Sequence, residues 1–196
     1  MTGPVIALSG APGAGKTTIG RWLTEALGAT RVNYDDYEQM TRRPPQEVAA
    51  WLDRGAPIAE IPAPGLQDAV ARASASGTVI FETPLGRAWP ATAQMITLSI
   101  WIDTPLDLAL SRKLQIMARA WEEKGGPVAS CTQWFTGHLK AYEEIIRPSL
   151  LVQNDRVRAL ADFSVSNGTD FAATKRQIVA ALETVGLDPS NRGTAP

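Results

Sequence analysis

The stretch Gly10-Ala11-Pro12-Gly13-Ala14-Gly15-Lys16-Thr17 has the spacing G-x-x-x-x-G-K-[ST], with a second threonine, Thr18, behind it. Each residue type answers a need of phosphate binding. Gly10, Gly13 and Gly15 allow backbone conformations that a side chain forbids, so successive N–H groups can turn inward around an anion. Lys16 is placed to meet β- and γ-phosphates, and the Thr17 hydroxyl to ligate Mg²⁺. The chemistry expected of these residues is the binding of a nucleoside triphosphate. Further along, carboxylates close short strand-like runs: Asp35 and Asp36 after the β-leaning Thr30–Tyr34, and Glu82 at the end of the apolar Thr78–Glu82, whereas Asp103, ending Leu98–Asp103 before Thr104-Pro105, reads as a helix-start residue rather than a metal ligand. Phosphoryl transfer needs such groups, one to hold the shell of a magnesium ion and one to accept a proton from the attacking hydroxyl.

Positioning these residues requires strands and helices in a particular order. Val5–Ser9 is a short, mostly apolar run that reads as a buried parallel strand. Ile19, Trp22, Leu23, Ala26 and Leu27 then fall on one helical face, and Gly28 can end that helix. The glycine-rich loop thus joins a strand to a helix, which is the context the motif demands. Thr30–Tyr34, Thr78–Glu82, Leu98–Asp103 and Ala161–Val165 read as four more strands. Helices are expected from Leu66 to Ser74, from Leu106 to Trp121, along the stripe Phe135, Leu139, Tyr142 and Ile146 that Pro148 stops, and from Phe171 to near Gly186. This alternation predicts an α/β fold, a five-stranded parallel sheet with helices on both faces and right-handed crossovers. In such sheets ligands bind beyond the carboxyl ends of the strands, so Asp35, Asp36 and Glu82 belong on the same rim as the loop.

Residues 41–65 interrupt the alternation. Arg42 and Arg43 precede Pro44-Pro45, a short helical piece carries Val48, Trp51 and Leu52, and prolines recur at 57, 62 and 64. The prolines predict a stiff, irregular excursion rather than a core element, lying over the active rim where it could cover an acceptor substrate. Arg42 and Arg43 are either substrate contacts or solvated, and Asp36 either acts in the chemistry or caps the element after it. Trp51, Trp89 and Trp134 could stack on a ring or simply fill the core. His138, the single histidine, reads as a packed or surface imidazole beside an apolar stripe.

The totals agree with one ordinary globular domain. The chain has 196 residues, 44% of them hydrophobic and 20% charged, and a net charge of −1 that provides no general basic field for nucleic acid or anionic membrane. Cys131 is alone, which fits a reducing, cytoplasmic setting. No apolar run approaches the ~20 residues of a membrane helix, and the chain enters its first strand without a signal-peptide pattern. The expected organisation is one domain over residues 1–187, with 41–65 as the acceptor-covering excursion, 106–128 as a lid region and 188–196 as a disordered tail. A monomer or homodimer is expected.

On Gly10–Thr18, Tyr34-Asp35-Asp36-Tyr37, Val79–Glu82, Arg147-Pro148-Ser149 and Ala161–Gly168, the chain resembles the P-loop small-molecule kinases, in particular the uridine kinase, nicotinamide riboside kinase and phosphoribulokinase group. The resemblance implies a P-loop NTPase fold with a helical lid, ATP and Mg²⁺ as cofactors, and a small-molecule hydroxyl as acceptor. It implies Asp35 as the base toward that hydroxyl, Glu82 near the metal with Thr17, and Asn167-Gly168 bordering the adenine. It also implies Arg112, Lys113 and Arg119 as cations that a closing lid brings to the phosphates. Asp35, Asp36, Tyr37, Arg42, Arg43, Glu82 and Arg87 are the residues expected around the acceptor. The lid motif is loose here, as Ser111-Arg112-Lys113-Leu-Gln, and the loop Thr83–Arg87 matches no nucleoside pocket. Three readings share this chemistry: a kinase of a nucleoside, sugar or sugar-like natural product, a nucleoside monophosphate kinase using Arg42, Arg43 and Arg87, and an antibiotic-modifying phosphotransferase. A nucleotide switch is disfavoured, because neither Asn-Lys-x-Asp nor an Asp-x-x-Gly after the third strand occurs.

Overall fold

Alternation along each strand sorts its residues onto two faces, and in the three central strands both faces are buried and mainly apolar. In the computed structural model, which describes residues 2–189, five strands form one sheet: β1 (Val5–Ser9), β2 (Thr30–Asn33), β3 (Val79–Glu82), β4 (Leu98–Asp103) and β5 (Phe163–Ser166). The order across the sheet is β2-β3-β1-β4-β5 and every pairing is parallel. Ile6, Leu8, Ile80, Leu98, Ile100 and Ile102 face one side, with Ile19 and Leu23 of α1 (Lys16–Leu27) and Ile178 and Leu182 of α8 (Phe171–Glu183). Val5, Ala7, Val79, Phe81 and Trp101 face the other, against Leu66 and Val70 of α3 (Leu66–Ser76) and Val157 of α7 (Arg147–Ala159). Each such aliphatic side chain contributes about 1.5–3 kcal/mol by leaving water. The continuous apolar runs are what a sheet covered on both faces requires.

The register brings the functional rim together. Leu8 pairs with Glu82, and Asn33 also pairs with Glu82, so the ends of β1, β2 and β3 lie side by side. β1 sits between β3 and β4, which places the loop that follows it where the chain order changes direction.

Two expectations are corrected. The proline-rich excursion is a core element: Trp51, Ala56, Ile58, Ile61 and Ala63 are buried in the cluster that packs on β1 and β3. Its prolines are accommodated because Pro45 starts the helix α2 (Pro45–Asp53), where a missing N–H costs nothing, and Pro57 supplies a carbonyl to the Trp51 indole N–H at 3.1 Å. Arg156 of α7 also donates to the carbonyls of Gly55 and Ala56, at 2.9 and 3.3 Å. Nor does Pro148 stop a helix. α6 (Val128–Ala141) passes through a π-helical turn, Tyr142–Ile146, into α7, with Pro148 in its first turn. Only Leu150 and Val157 of α7 are buried, so the helix left little periodic signal. A short α4 (Pro90–Ala93) precedes β4, and α5 (Leu106–Lys124) runs past the expected end at Trp121 to Gly125. Of the tail expected from residue 188, residues 190–196 lie outside the described residues.

Candidate active site

The loop between β1 and α1 is held from three directions. Gly13 has φ +85° and lies so close to the backbone carbonyl of Ala109 on α5 that a Cβ would overlap it. Gly15 has φ +100° and a Cβ there would strike the side-chain amide of Asn167. That amide donates to the Ala14 carbonyl at 2.6 Å, the Thr104 hydroxyl donates to the same carbonyl at 3.1 Å, and the Thr174 hydroxyl donates to Asn167 Oδ1 at 3.2 Å. Asn167, expected beside an adenine, thus has a side chain that buttresses the loop from behind. Ala11 and Ala14 are buried, whereas Pro12, Thr17 and Thr18 are exposed.

Lys16 bends back over its own loop, donating from Nζ to the carbonyls of Gly10 at 2.7 Å and Ala11 at 3.1 Å. The residue is only partly covered, but its ammonium is folded into the protein. Burial lowers its pKa to about 8, while Asp35 and Glu82 pull it up and Lys113 pushes it down. Those influences place two carboxylates and a second cation around the same amine.

The Thr17 hydroxyl donates to Glu82 Oε2 at 2.8 Å, and Arg31 pairs with Oε1 of the same carboxylate at 3.1 Å. Glu82 is 2% exposed, so its charge must be compensated inside the protein, and Arg31 on the adjacent strand does this. Gly20 of α1 leaves the room: a Cβ there would overlap the carboxylate. A hydroxyl and a carboxylate 2.8 Å apart form an all-oxygen donor set, which suits Mg²⁺, an ion held by one or two protein oxygens together with substrate phosphates. Arg31 escaped sequence reasoning, because only the register of β2 on β3 shows which side chain meets Glu82.

On the other side of the loop a cavity of about 710 Å³ opens, touching Ala11 and Pro12 but none of Gly13–Thr18. Asp35, Glu38, Arg43, Lys113 and His138 reach it, with Tyr34, Trp51, Leu85, Leu110, Ile145 and Ile146 among its walls. Asp35 sits in a 3₁₀ turn, Tyr34–Asp36, whose cap is Asn33: its side chain accepts from the Asp35 N–H at 3.2 Å. Asp36 lies inside that turn and is exposed, so it is not the cap. Burial, then Glu38 and Asp35, push the Tyr34 phenol far above its ordinary pKa, which keeps it a hydrogen-bond donor.

Several expected residues stand elsewhere. Arg87 is spent at the opposite end of the sheet, donating to the carbonyls of Ile96 and Thr97 just before β4 and pairing with Asp162 at 2.7 Å. Arg112 donates to the carbonyls of Asn167 and Gly168, so its guanidinium clamps that turn. Arg119, two helical turns farther along α5, is exposed and does not line the cavity. Lys113 is the α5 cation that faces the site. Arg42 is exposed, Arg43 lines the cavity, and Tyr37 packs half-buried against the excursion core. Asp103 pairs with Arg158 at 3.1 Å. His138 lies at the cavity wall, stacked on Trp134 with ring centroids 4.8 Å apart; burial and then Lys113 hold its pKa below the usual value. Sequence position beside an apolar stripe gave no sign of this placement.

No protein-family model matches the chain, and no curated relative matches it. Among solved structures it is similar to a shikimate kinase from Acinetobacter baumannii in complex with shikimate, at 17% identity over 98% of this chain and 97% of that one, with a TM-score of 0.49. It is also similar to a gluconokinase from Sinorhizobium meliloti 1021, at 14% identity over 93% of each chain and a TM-score of 0.48.

Proposed function

We propose that the protein is an ATP-dependent kinase that transfers the γ-phosphate to a hydroxyl of a small molecule. The observation that carries this reading is one rim holding a phosphate loop with Lys16, a Thr17–Glu82 oxygen pair, and Asp35 beside a cavity large enough for an acceptor. In the reaction the acceptor oxygen bonds to the γ-phosphorus as the bond from that phosphorus to the bridging oxygen breaks. ADP departs with the electron pair, and the hydroxyl proton passes to the Asp35 carboxylate. Thr17 and Glu82 would hold the Mg²⁺ that accompanies the nucleotide; that ion supplies charge neutralisation at the phosphates. Lys16 then exchanges its two loop carbonyls for phosphate oxygens, and Lys113 adds a second positive charge from α5.

The nucleoside monophosphate kinase reading is weaker, since it needs an arginine cluster for an acceptor phosphate. Arg87 serves the far end of the sheet and Arg42 is exposed, which leaves Arg43 alone at the cavity. The narrower likeness to the uridine kinase group rests on Tyr34–Tyr37 and Val79–Glu82. A soluble small-molecule acceptor and a cytoplasmic setting accord with a chain in which, among the described residues, no helix is long and apolar enough to cross a membrane.

The test is ADP release from Mg·ATP with a panel of hydroxyl compounds, repeated with Asp35→Asn. Acceptor-stimulated turnover lost in the variant, with nucleotide binding kept, is the result expected. Turnover with nucleoside monophosphates alone would favour the alternative.

A further inference from the structure

We infer that the acceptor is a predominantly apolar alcohol, an aromatic or polycyclic hydroxyl compound, rather than a polyol, sugar or nucleoside. The inference rests on the kinase reading and deepens it.

The cavity touches the loop only at Ala11 and Pro12 and none of Gly13–Thr18, so most of its wall lies away from the loop. Its volume of about 710 Å³ falls within the range of sites that enclose drug-sized ligands. The walls come from separate elements: Val48 and Trp51 from α2, Leu110 from α5, Ile145 and Ile146 from the π-helical turn, Leu150 from α7. The surface they present is mainly apolar.

Polar side chains line it too, Glu38, Arg43, Tyr142, Ser149 and Gln153 besides Asp35 and Lys113, but carbon makes up most of the exposed surface. Asp35 and Lys113 line the cavity together with Ala11 and Pro12 of the loop, which is where the reacting hydroxyl would meet the phosphate. Tyr34 is buried and His138 is stacked on Trp134. A sugar would carry several hydroxyls against walls whose surface is mainly carbon, and each hydroxyl losing water without a partner opposes binding. An apolar body with one hydroxyl meets no such penalty: its carbon skeleton is attracted by the walls, and the hydroxyl is directed toward Asp35. The excursion fixes this selectivity, because the wall residue Trp51 is buried and its indole N–H is satisfied by the Pro57 carbonyl.

The experiment has two stages on the full chain. Calorimetry first establishes Mg·ADP binding. ADP release is then compared between arylpropanols, hydroxylated steroids and polycyclic phenols on one side, and hexoses, aldonic acids and nucleosides on the other. At least one apolar alcohol is expected to exceed every polar compound tenfold or more in kcat/KM. In Val48→Asn on α2 and Leu110→Gln on α5, both only partly buried wall residues, KM for that alcohol is expected to rise at least tenfold, and by more than kcat falls. Nucleotide binding with polyols or nucleosides preferred overturns this inference alone, as does nucleotide binding with no apolar alcohol turned over. Absence of nucleotide binding overturns the kinase reading and this inference with it.

Discussion

The two halves of the rim are built on different principles. On the nucleotide side, positions are set by backbone: Gly13 against the Ala109 carbonyl, Gly15 against Asn167, and the Ala14 carbonyl held by Asn167 and Thr104. On the proposed acceptor side, positions are set by side chains, buried like Trp51 and Leu150 or partly buried like Val48 and Leu110, on α2, α5, the π-helical turn and α7. A backbone cradle must fit one invariant shape, the polyphosphate, and tolerates almost no added atom. A wall of side chains can change its ligand one residue at a time without disturbing the cradle. On the proposed reading, recognition of the donor is therefore inflexible and recognition of the acceptor is adjustable.

This contrast is open to direct test, and the largest effect should come from the residue where the halves meet. Asp35→Asn removes the proposed proton acceptor while leaving the loop intact, and kcat should fall about 10²–10⁴-fold with Mg·ADP affinity changed little. Comparable losses of binding and turnover would place Asp35 with the cradle instead. Next, Gly13→Ala adds a Cβ both at positive φ and onto a backbone carbonyl that has no flexible end to move. Strain of about 3 kcal/mol or more is expected, seen as roughly hundredfold weaker nucleotide binding or a lower urea midpoint. Smaller is Asn167→Ala, which takes one donor from the Ala14 carbonyl and leaves the Thr174 hydroxyl its other acceptors. A stability loss of about 1–2 kcal/mol in urea is expected, with acceptor KM unaffected.

The smallest effect is a pH dependence. Burial lowers the Lys16 pKa in the folded protein to about 8, from the 10.5 of the free side chain. Between those values the unfolded chain binds a proton that the folded chain has lost, so this group makes stability rise with pH from about 8 to 10.5. Below pH 8 both states are protonated and the gain is absent. Urea melts at pH 7.5 and 9.5 should show the increase in the parent and a flatter profile in Lys16→Met.

The same division governs what could be read in the sequence. The cradle was legible because its function dictates residue types at fixed local spacing: the loop, the strand before it and α1 after it are contiguous in the chain. The three central strands followed from apolar runs that a sheet covered on both faces requires, whereas the edge strands β2 and β5 are largely exposed and carry no such run. The acceptor wall was not legible, because it is assembled from positions as far apart as Val48, Leu110 and Ile146. The excursion looked irregular by its prolines, yet its apolar residues are buried where no local period shows it. Arg87 illustrates the opposite error: an arginine just beyond a functional loop suggested a ligand, while its length lets it reach Asp162 and the Thr97 carbonyl at the far end of the sheet.

One contact joins the two halves. The first turns of α5 touch Gly13 through the Ala109 carbonyl and the Asn167-Gly168 turn through Arg112, while Leu106, Leu110 and Lys113 of the same helix line the cavity. Loop and wall therefore belong to one rod, and a ligand that repositions either end does work on the other. Donor and acceptor affinities are then thermodynamically linked, and the factor by which the nucleotide changes acceptor binding must equal the factor by which the acceptor changes nucleotide binding. Synergy or antagonism between the two substrates is thus written into the first two turns of a single helix.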